Sequence, residues 1–185
     1  MSKLRCAWCE KDDLYRNYHD KEWGKPVYDD ATIFEFLILE TFQAGLSWYT
    51  VLAKRENFRK AFKNFDVQKV AQFTDAQIQT LCEDAGIIRN KLKIKAAVTN
   101  AQAFIKVQEE FGSFSTYIWA FVDGKPIDSK PATLKDVPAT TEISDRLSKD
   151  LKKRGFKFVG STVVYAHMQA TGMVNDHVED CWTRN

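Results

Sequence analysis

The sequence has few chain breakers. It holds 8 Gly and 4 Pro in 185 residues, and they gather into no flexible linker. That argues against loosely tethered modules, and a chain of this length fits one domain spanning residues 1–185. Cysteine is scarce as well, at 4 residues. A chain this long buries enough surface to fold without disulfide staples. No apolar run approaches the roughly 20 residues of a membrane span. Met1-Ser-Lys-Leu-Arg leads into Cys and Trp rather than an apolar signal region, so a cytoplasmic, reducing setting is expected. Net charge is nearly absent: 27 Lys and Arg face 25 Asp and Glu, leaving +2. The overall balance therefore points to no class of partner, and no oligomer seam is visible, so a monomer is expected.

Aromatic residues are abundant, with 13 Phe, 6 Tyr and 5 Trp. A chain that is 44% hydrophobic and 28% charged is not disordered. Its periodicity is helical. Asp30 or Thr32 can start a helix through Ile33–Phe42, and Trp48, Val51, Leu52, Arg55, Phe58 and Phe62 recur at helical spacing. Thr74 with Gln77 reads as a capping box opening a helix that stops at Gly86. Further helices are expected through Val98–Gln108, Ile143–Leu151 and Tyr165–Gln169. Three of the prolines fall within Asp123–Thr141, which reads as a surface connection. Strand alternation is nearly missing, so the fold class is all-α.

Cys6 and His19 near one end, with His177 and Cys181 near the other, supply two sulfur and two nitrogen donors. Such a set closes a tetrahedral zinc site of the structural type, because no position remains for water. It would tie together chain ends that otherwise fray. The i, i+4 spacing of His177 and Cys181 predicts one helical face. Cys9 is a rival to Cys6 as ligand, and a buried histidine beside a small hydrophobe is the plainer alternative. His167 reads as a core or surface residue rather than a ligand.

Glu40 shares a face with Ile33, Phe36 and Leu37 in a stretch that is apolar nearly all round. A carboxylate there is costly unless it pairs with Lys or Arg, caps a helix, or faces a pocket whose ligand supplies charge or donors. Glu35 has an easier path to solvent. Trp8, Tyr15, Tyr18 and Trp23 precede this helix and Trp48 follows it. Such rings can stack a planar cation and attract its charge, or simply fill an aromatic core. Between them Gly45 breaks the helix and leaves Leu46 on a turn. Leu46 reads either as a wedge between base pairs or as a staple for the next helix.

The segment about 74–107 resembles a helix-hairpin-helix, turning at Gly86 with Arg89, Lys91, Lys93 and Lys95 at the start of its second helix. Free N–H groups and basic side chains there suit a phosphate. Two further basic groups, Lys54–Lys63 and Lys149–Lys157, read equally as a track for a phosphate backbone or as solvated helix faces.

The motifs Cys6-Ala-Trp8, Tyr15-Arg-Asn-Tyr18-His19-Asp-Lys-Glu-Trp23-Gly24, Gln43-Ala-Gly-Leu-Ser-Trp48, Asp84-Ala-Gly-Ile-Ile-Arg89, Lys152-Lys-Arg-Gly-Phe-Lys-Phe-Val-Gly160 and Gly172-Met-Val-Asn-Asp-His177 with Cys181 span nearly the whole chain. In this order they resemble the 3-methyladenine DNA glycosylase I family of the helix-hairpin-helix superfamily. The resemblance implies zinc on Cys6, His19, His177 and Cys181, and a pocket lined by Trp8, Tyr15, Tyr18, Trp23 and Trp48. It implies that Glu40 recognises the adenine edge of a damaged base. Gly45 and Leu46 would fill the gap left by the extruded nucleotide, and Gly86, Arg89 and Lys91 would hold the backbone. The implied activity is hydrolysis of the N-glycosidic bond of 3-methyladenine in alkylated double-stranded DNA, without strand cleavage. The catalytic Asp that other superfamily members carry after the hairpin has no counterpart here. Thr41 and Phe42 depart from more polar versions expected in the family and bear on the pocket's shape. Two other readings stand beside this one: a non-enzymatic module that binds alkylated DNA, and a helical enzyme for a small cation.

Overall fold

A computed structural model describes residues 3–184. Among them are ten α-helices: α1 Asp13–Lys21, α2 Asp30–Gln43, α3 Trp48–Ala53, α4 Arg55–Ala61, α5 Val67–Ala71, α6 Asp75–Glu83, α7 Lys91–Phe111, α8 Phe114–Trp119, α9 Glu142–Lys153 and α10 Ser161–Ala170. The chain is thus mostly helical. Its one departure among the described residues is a parallel pair of short strands, β1 Ile127–Asp128 on β2 Val174–Asn175. These extended segments satisfy each other's backbone groups and anchor the proline-bearing connection.

Local signals explain most helix starts. Asp29 accepts from Thr32 N at 2.8 Å and opens α2. Thr74 and Gln77 form the expected capping box of α6, and Asn90 accepts from Lys93 N at the head of α7. The helix α6 ends at Glu83, short of Gly86, because Asp84 is extended. The helical spacing from Trp48 to Phe62 runs across two helices, α3 and α4, broken at Lys54.

Apolar on nearly every side, α2 is enclosed by α3, α7, α8 and α10. Its residues Ile33, Phe34, Leu37, Ile38 and Phe42 lie in the main core. Thr41 and Phe42 are fully buried there, with Phe42 packed on Phe58 at 4.8 Å between ring centroids. Neither lines the site cavity described below, so the expectation that they shape the pocket is corrected: they pack in the core.

A second, smaller cluster gathers Cys6, Tyr18, Trp23, Phe36, Leu52, Ala170 and Cys181. It brings the two ends of the chain onto one flank of α2. The segment after Trp23 is fastened to the end of α10, with Gly24 N donating to Gln169 O and Val27 N to Thr171 O, both at 3.0 Å. No helix among the described residues is long and apolar enough to cross a membrane.

Candidate active site

Between the small cluster and α10 lies a cavity of about 290 Å³, at the small end of the range for ligand pockets. Its walls carry the five expected rings, Trp8, Tyr15, Tyr18, Trp23 and Trp48. The rings brace one another, with centroid separations of 4.9 Å for Trp8–Tyr15, 5.1 Å for Trp8–Trp23 and 5.5 Å for Tyr18–Trp48. Helix α1 presents Tyr15 and Tyr18 one turn apart, and Ser47 caps α3 so that Trp48 begins it.

Glu40 also faces this cavity, although it is only 2% exposed. Among the described residues no Lys or Arg reaches its carboxylate. The nearby guanidinium groups are engaged elsewhere, Arg55 with Glu22 and Arg59 with Glu35. Its titratable neighbour is His167 on α10, with Nδ1 at 3.2 Å from Oε2. That approach lacks the direction of a hydrogen bond, which leaves Glu40 Oε2, both ring nitrogens of His167 and Trp48 Nε1 buried without partners. Burial raises the Glu40 pKa above the ordinary carboxylate value, and His167 opposes the rise. The Tyr18 hydroxyl is held protonated by its own burial and by Glu40. Of the residues with unpartnered atoms, Glu40 and Trp48 line the cavity, so it offers polar groups to whatever occupies it.

Of the two places the sequence allowed His167, core or surface, it takes the core, at 1% exposed. Its approach to Glu40 was not legible, because it joins residues on two helices. Gln43, one turn beyond Glu40, and Gln169 supply polar groups to the cavity. Their signal was the helical spacing of Gln43 to Glu40, and of Gln169 to Ala166. Leu134 and Val137 close one side. They come from the proline-bearing connection, which is therefore more than a surface link.

Gly45 and Leu46 line a neighbouring cavity of about 210 Å³ that also touches Glu40. Gly45 takes a left-handed φ of 80°, and Leu46 stands 42% exposed at the rim. The hairpin residues Gly86, Arg89 and Lys91 lie outside both cavities. Arg89, Lys91 and Lys95 are exposed without ion-pair partners among the described residues, whereas Lys93 is buried. The basic group at Lys54–Lys63 is largely engaged within the protein: Lys54 donates to Ala85 O at 3.1 Å, in addition to the Arg55 and Arg59 pairs. Arg154, in the third group, pairs with Glu110 and Asp150.

Cys6, His19, His177 and Cys181 converge with all four ligand atoms within 4.8 Å of one another, and all are buried. Cys9 lies outside this group, its thiol donating to Cys6 O at 3.1 Å. The supposed helical face of His177 and Cys181 is not helical; an irregular turn after β2 brings them together, with Cys181 N donating to Val178 O at 2.9 Å. The set can hold a metal ion. His19 turns Nδ1 to Asp20 at 2.9 Å, and Asp20 is held in turn by Arg5. His177 donates from Nε2 to Trp23 O at 3.1 Å. These outer contacts orient Nε2 of His19 and Nδ1 of His177 toward the thiols, the usual support of a metal-bound imidazole. Burial pushes the Cys6 thiol up to about 12 and the His177 pKa down to about 4. Neutral imidazoles suit metal ligation, and a bound cation would draw the proton from the thiols. Trp23 joins the two sites, since its ring lies 4.6 Å from that of His177 and also walls the cavity.

Residues 8–185 match the Methyladenine glycosylase family model. Over 177 residues the chain is 49% identical to DNA-3-methyladenine glycosylase 1 of Escherichia coli (strain K12), covering 96% of this chain and 95% of that one. It is 48% identical to DNA-3-methyladenine glycosylase of Haemophilus influenzae (strain ATCC 51907 / DSM 11121 / KW20 / Rd), covering 96% of each. A solved structure of a variant of 3-methyladenine DNA glycosylase I, in complex with 3-methyladenine, superposes with a TM-score of 0.95 at 39% identity, covering 98% of this chain and 97% of the other.

Proposed function

The chain belongs to the methyladenine glycosylase family, and from that premise we propose that it excises 3-methyladenine from alkylated double-stranded DNA in base excision repair. It acts as a hydrolase on the N-glycosidic bond, releasing the free base and leaving an abasic site. The observation that carries this reading is the Glu40 carboxylate, buried against a ring-walled cavity with no lysine or arginine among the described residues to neutralise it.

Methylation at N3 puts a positive charge on the adenine ring. Extruding the nucleotide costs a few kcal/mol, and the cavity repays it by stacking the base on rings such as Trp48 and Trp8. Glu40 accepts from the exocyclic amine and offsets the ring charge, an attraction that neutral adenine lacks. The lesion is already a good leaving group, which is consistent with a site lacking the superfamily's catalytic Asp. The electron pair of the glycosidic bond leaves with the base and cancels its charge. The oxocarbenium-like sugar then takes up water at C1′, and that water loses a proton. No lysine need attack the sugar, so the strand stays uncut.

We assign Gly86, Arg89 and Lys91 to the phosphate backbone, supported by the unpaired cations on the hairpin between α6 and α7. Gly45 and Leu46 enter the space vacated by the nucleotide, supported by an exposed apolar tip beside Glu40. Cys6, His19, His177 and Cys181 hold one structural zinc ion, whose two-sulfur, two-nitrogen donor set supplies a closed tetrahedral site that ties the chain ends together. Residues 1–185 act as a single glycosylase domain, as a monomer in the cytoplasm. The test is incubation with duplex DNA bearing 3-methyladenine: free base and alkali-labile abasic sites are expected. Retention of the lesion without release would replace catalysis by a binding module, and no interaction would overturn both.

A further inference from the structure

A buried lysine joins the hairpin to the turn at the end of α2. Lys93 sits in the first turn of α7 and is 6% exposed. Its ammonium donates to Phe42 O at 2.8 Å and to Ala44 O at 2.5 Å. These are carbonyls at the C-terminus of α2, where orphan acceptors and the helix dipole favour a cation. The amine faces no carboxylate among the described residues, and burial draws its pKa down. Burying a lysine without an acidic partner is costly, and a helix end needs less: glycine or water commonly satisfies such carbonyls. The location supplies a reason. On one side, Asn90 caps Lys93 N at 3.1 Å and the exposed Arg89 and Lys91 flank it. On the other, Ala44 opens the turn to Gly45 and Leu46, and Phe42 follows Glu40 by two residues. Leu46 N donates to Gln43 O at 2.6 Å, so the turn is built on the same helix end that Lys93 grips.

We propose that Lys93 is a positioning residue for nucleotide extrusion: it locks the Ala44–Leu46 turn to the hairpin, so that capture of the backbone and entry of Leu46 into the duplex occur as one movement. This rests on the reading above that the hairpin holds phosphate and that Leu46 enters the gap. Lys93 touches neither the base nor the sugar. It fixes the distance between the two elements that must engage the DNA together, and a loosened turn would leave base recognition intact while slowing extrusion.

The test compares Lys93→Met and Lys93→Arg with the unaltered chain on two duplexes, one with 3-methyladenine opposite thymine and one with it opposite an abasic site, where extrusion is cheaper. Losing charged hydrogen bonds at this joint is expected to slow saturating single-turnover excision of the paired lesion by about tenfold or more in Lys93→Met. The rate opposite the abasic site and the tryptophan-fluorescence affinity for free 3-methyladenine should stay within about twofold, and Lys93→Arg should recover most of the paired-lesion rate. Equal losses on both duplexes, no loss on either, or a failure of arginine to rescue would overturn the proposal. Should Lys93→Met fold poorly, Lys93→Gln is read in the same assays. Leu46→Ala on the same duplexes reads the turn independently. A paired-lesion deficit there with none in Lys93→Met overturns the lysine's role and keeps the turn's; no deficit in either overturns both.

Discussion

Oε2 of Glu40 stands 3.2 Å from Nδ1 of His167, a contact between α2 and α10 with no lysine or arginine among the described residues to share it. With no lysine or arginine in contact, the carboxylate is left to offset the charge of a cationic base. Glu40→Gln keeps the shape and removes the charge. Excision of 3-methyladenine should then fall about 10²–10³-fold, the usual loss for one oriented electrostatic partner in a buried site, with binding to undamaged duplex unchanged. Single-turnover release of the base measures this, and an undiminished rate would remove the electrostatic account.

The same substitution should make the protein more stable at neutral pH. The Glu40 pKa is raised in the folded chain, mainly by burial. Its contribution to stability is therefore fully present below the ordinary carboxylate pKa and is lost as pH rises through the raised value. At neutral pH, above the ordinary carboxylate pKa, holding this carboxyl in its buried site is a cost that glutamine removes. A rise in Tm of a few degrees is expected, since about 1 kcal/mol moves a chain of this size by ~2–4 °C. A lower Tm for Glu40→Gln at pH 7 would contradict this sign.

His167→Ala tests the pair from the other side. His167 opposes the upward shift of Glu40, so its removal should carry the carboxyl pKa higher. Excision needs the ionised form and falls as pH drops through that pKa. In the variant the fall should begin at a higher pH, visible in a pH series of single-turnover rates. Superimposable acid limbs would mean that the two groups do not interact.

Metal analysis of the purified protein should find one zinc per chain. Cys181→Ser should abolish it and lower Tm by several degrees, because an ion bound only by the folded chain stabilises it. Gly24→Ala reaches the same site indirectly. Gly24 has a φ of 75°, and a Cβ there would lie 2.8 Å from His177 Nε2, displacing the imidazole from Trp23 O. A loss of about 10–100-fold in zinc affinity is expected, as for other outer-shell changes, read by competition with a chelating dye. An unchanged affinity would show that the outer contact does not orient the ligand.

Binding to undamaged duplex should weaken with salt. Arg89→Ala and Lys91→Ala should each reduce the slope of log K against log[salt] by about one, as for the loss of one phosphate contact. Lys54→Ala, whose amine is engaged at Ala85 and Gly86, should change it less. Equal slopes in all variants would move the interface away from the hairpin.

Much of this protein can be read along the chain. Capping signals at Thr74 and Ser47, the apolar continuity of Ile33–Phe42 and the glycine at the Gly45 turn are local features, and each specifies its helix end or turn through neighbours a few residues away. The order of the motifs identified the family, and with it the rings, Glu40 and the four metal-binding candidates. Where a reading leaned on helical spacing alone it failed at the C-terminus, since His177 and Cys181 are brought together by a turn and not by a helix.

The inventory is written along the chain: which helices form, which residues carry donors, rings and charge, and that a carboxylate sits in an apolar stretch. Which of these meet is set by the packing of the helices. Whether Glu40 faced a cation of its own protein depended on how α10 lies against α2, and there the partner is His167, 127 positions later in the sequence numbering. Whether a lysine of the hairpin was solvated or buried depended on where α2 ended, and Lys93 alone of its basic neighbours turns inward. Helix formation is a matter of contacts within a turn or two, whereas the charge state and solvation of a buried group are set by chain segments distant in sequence, and no local pattern encodes their approach.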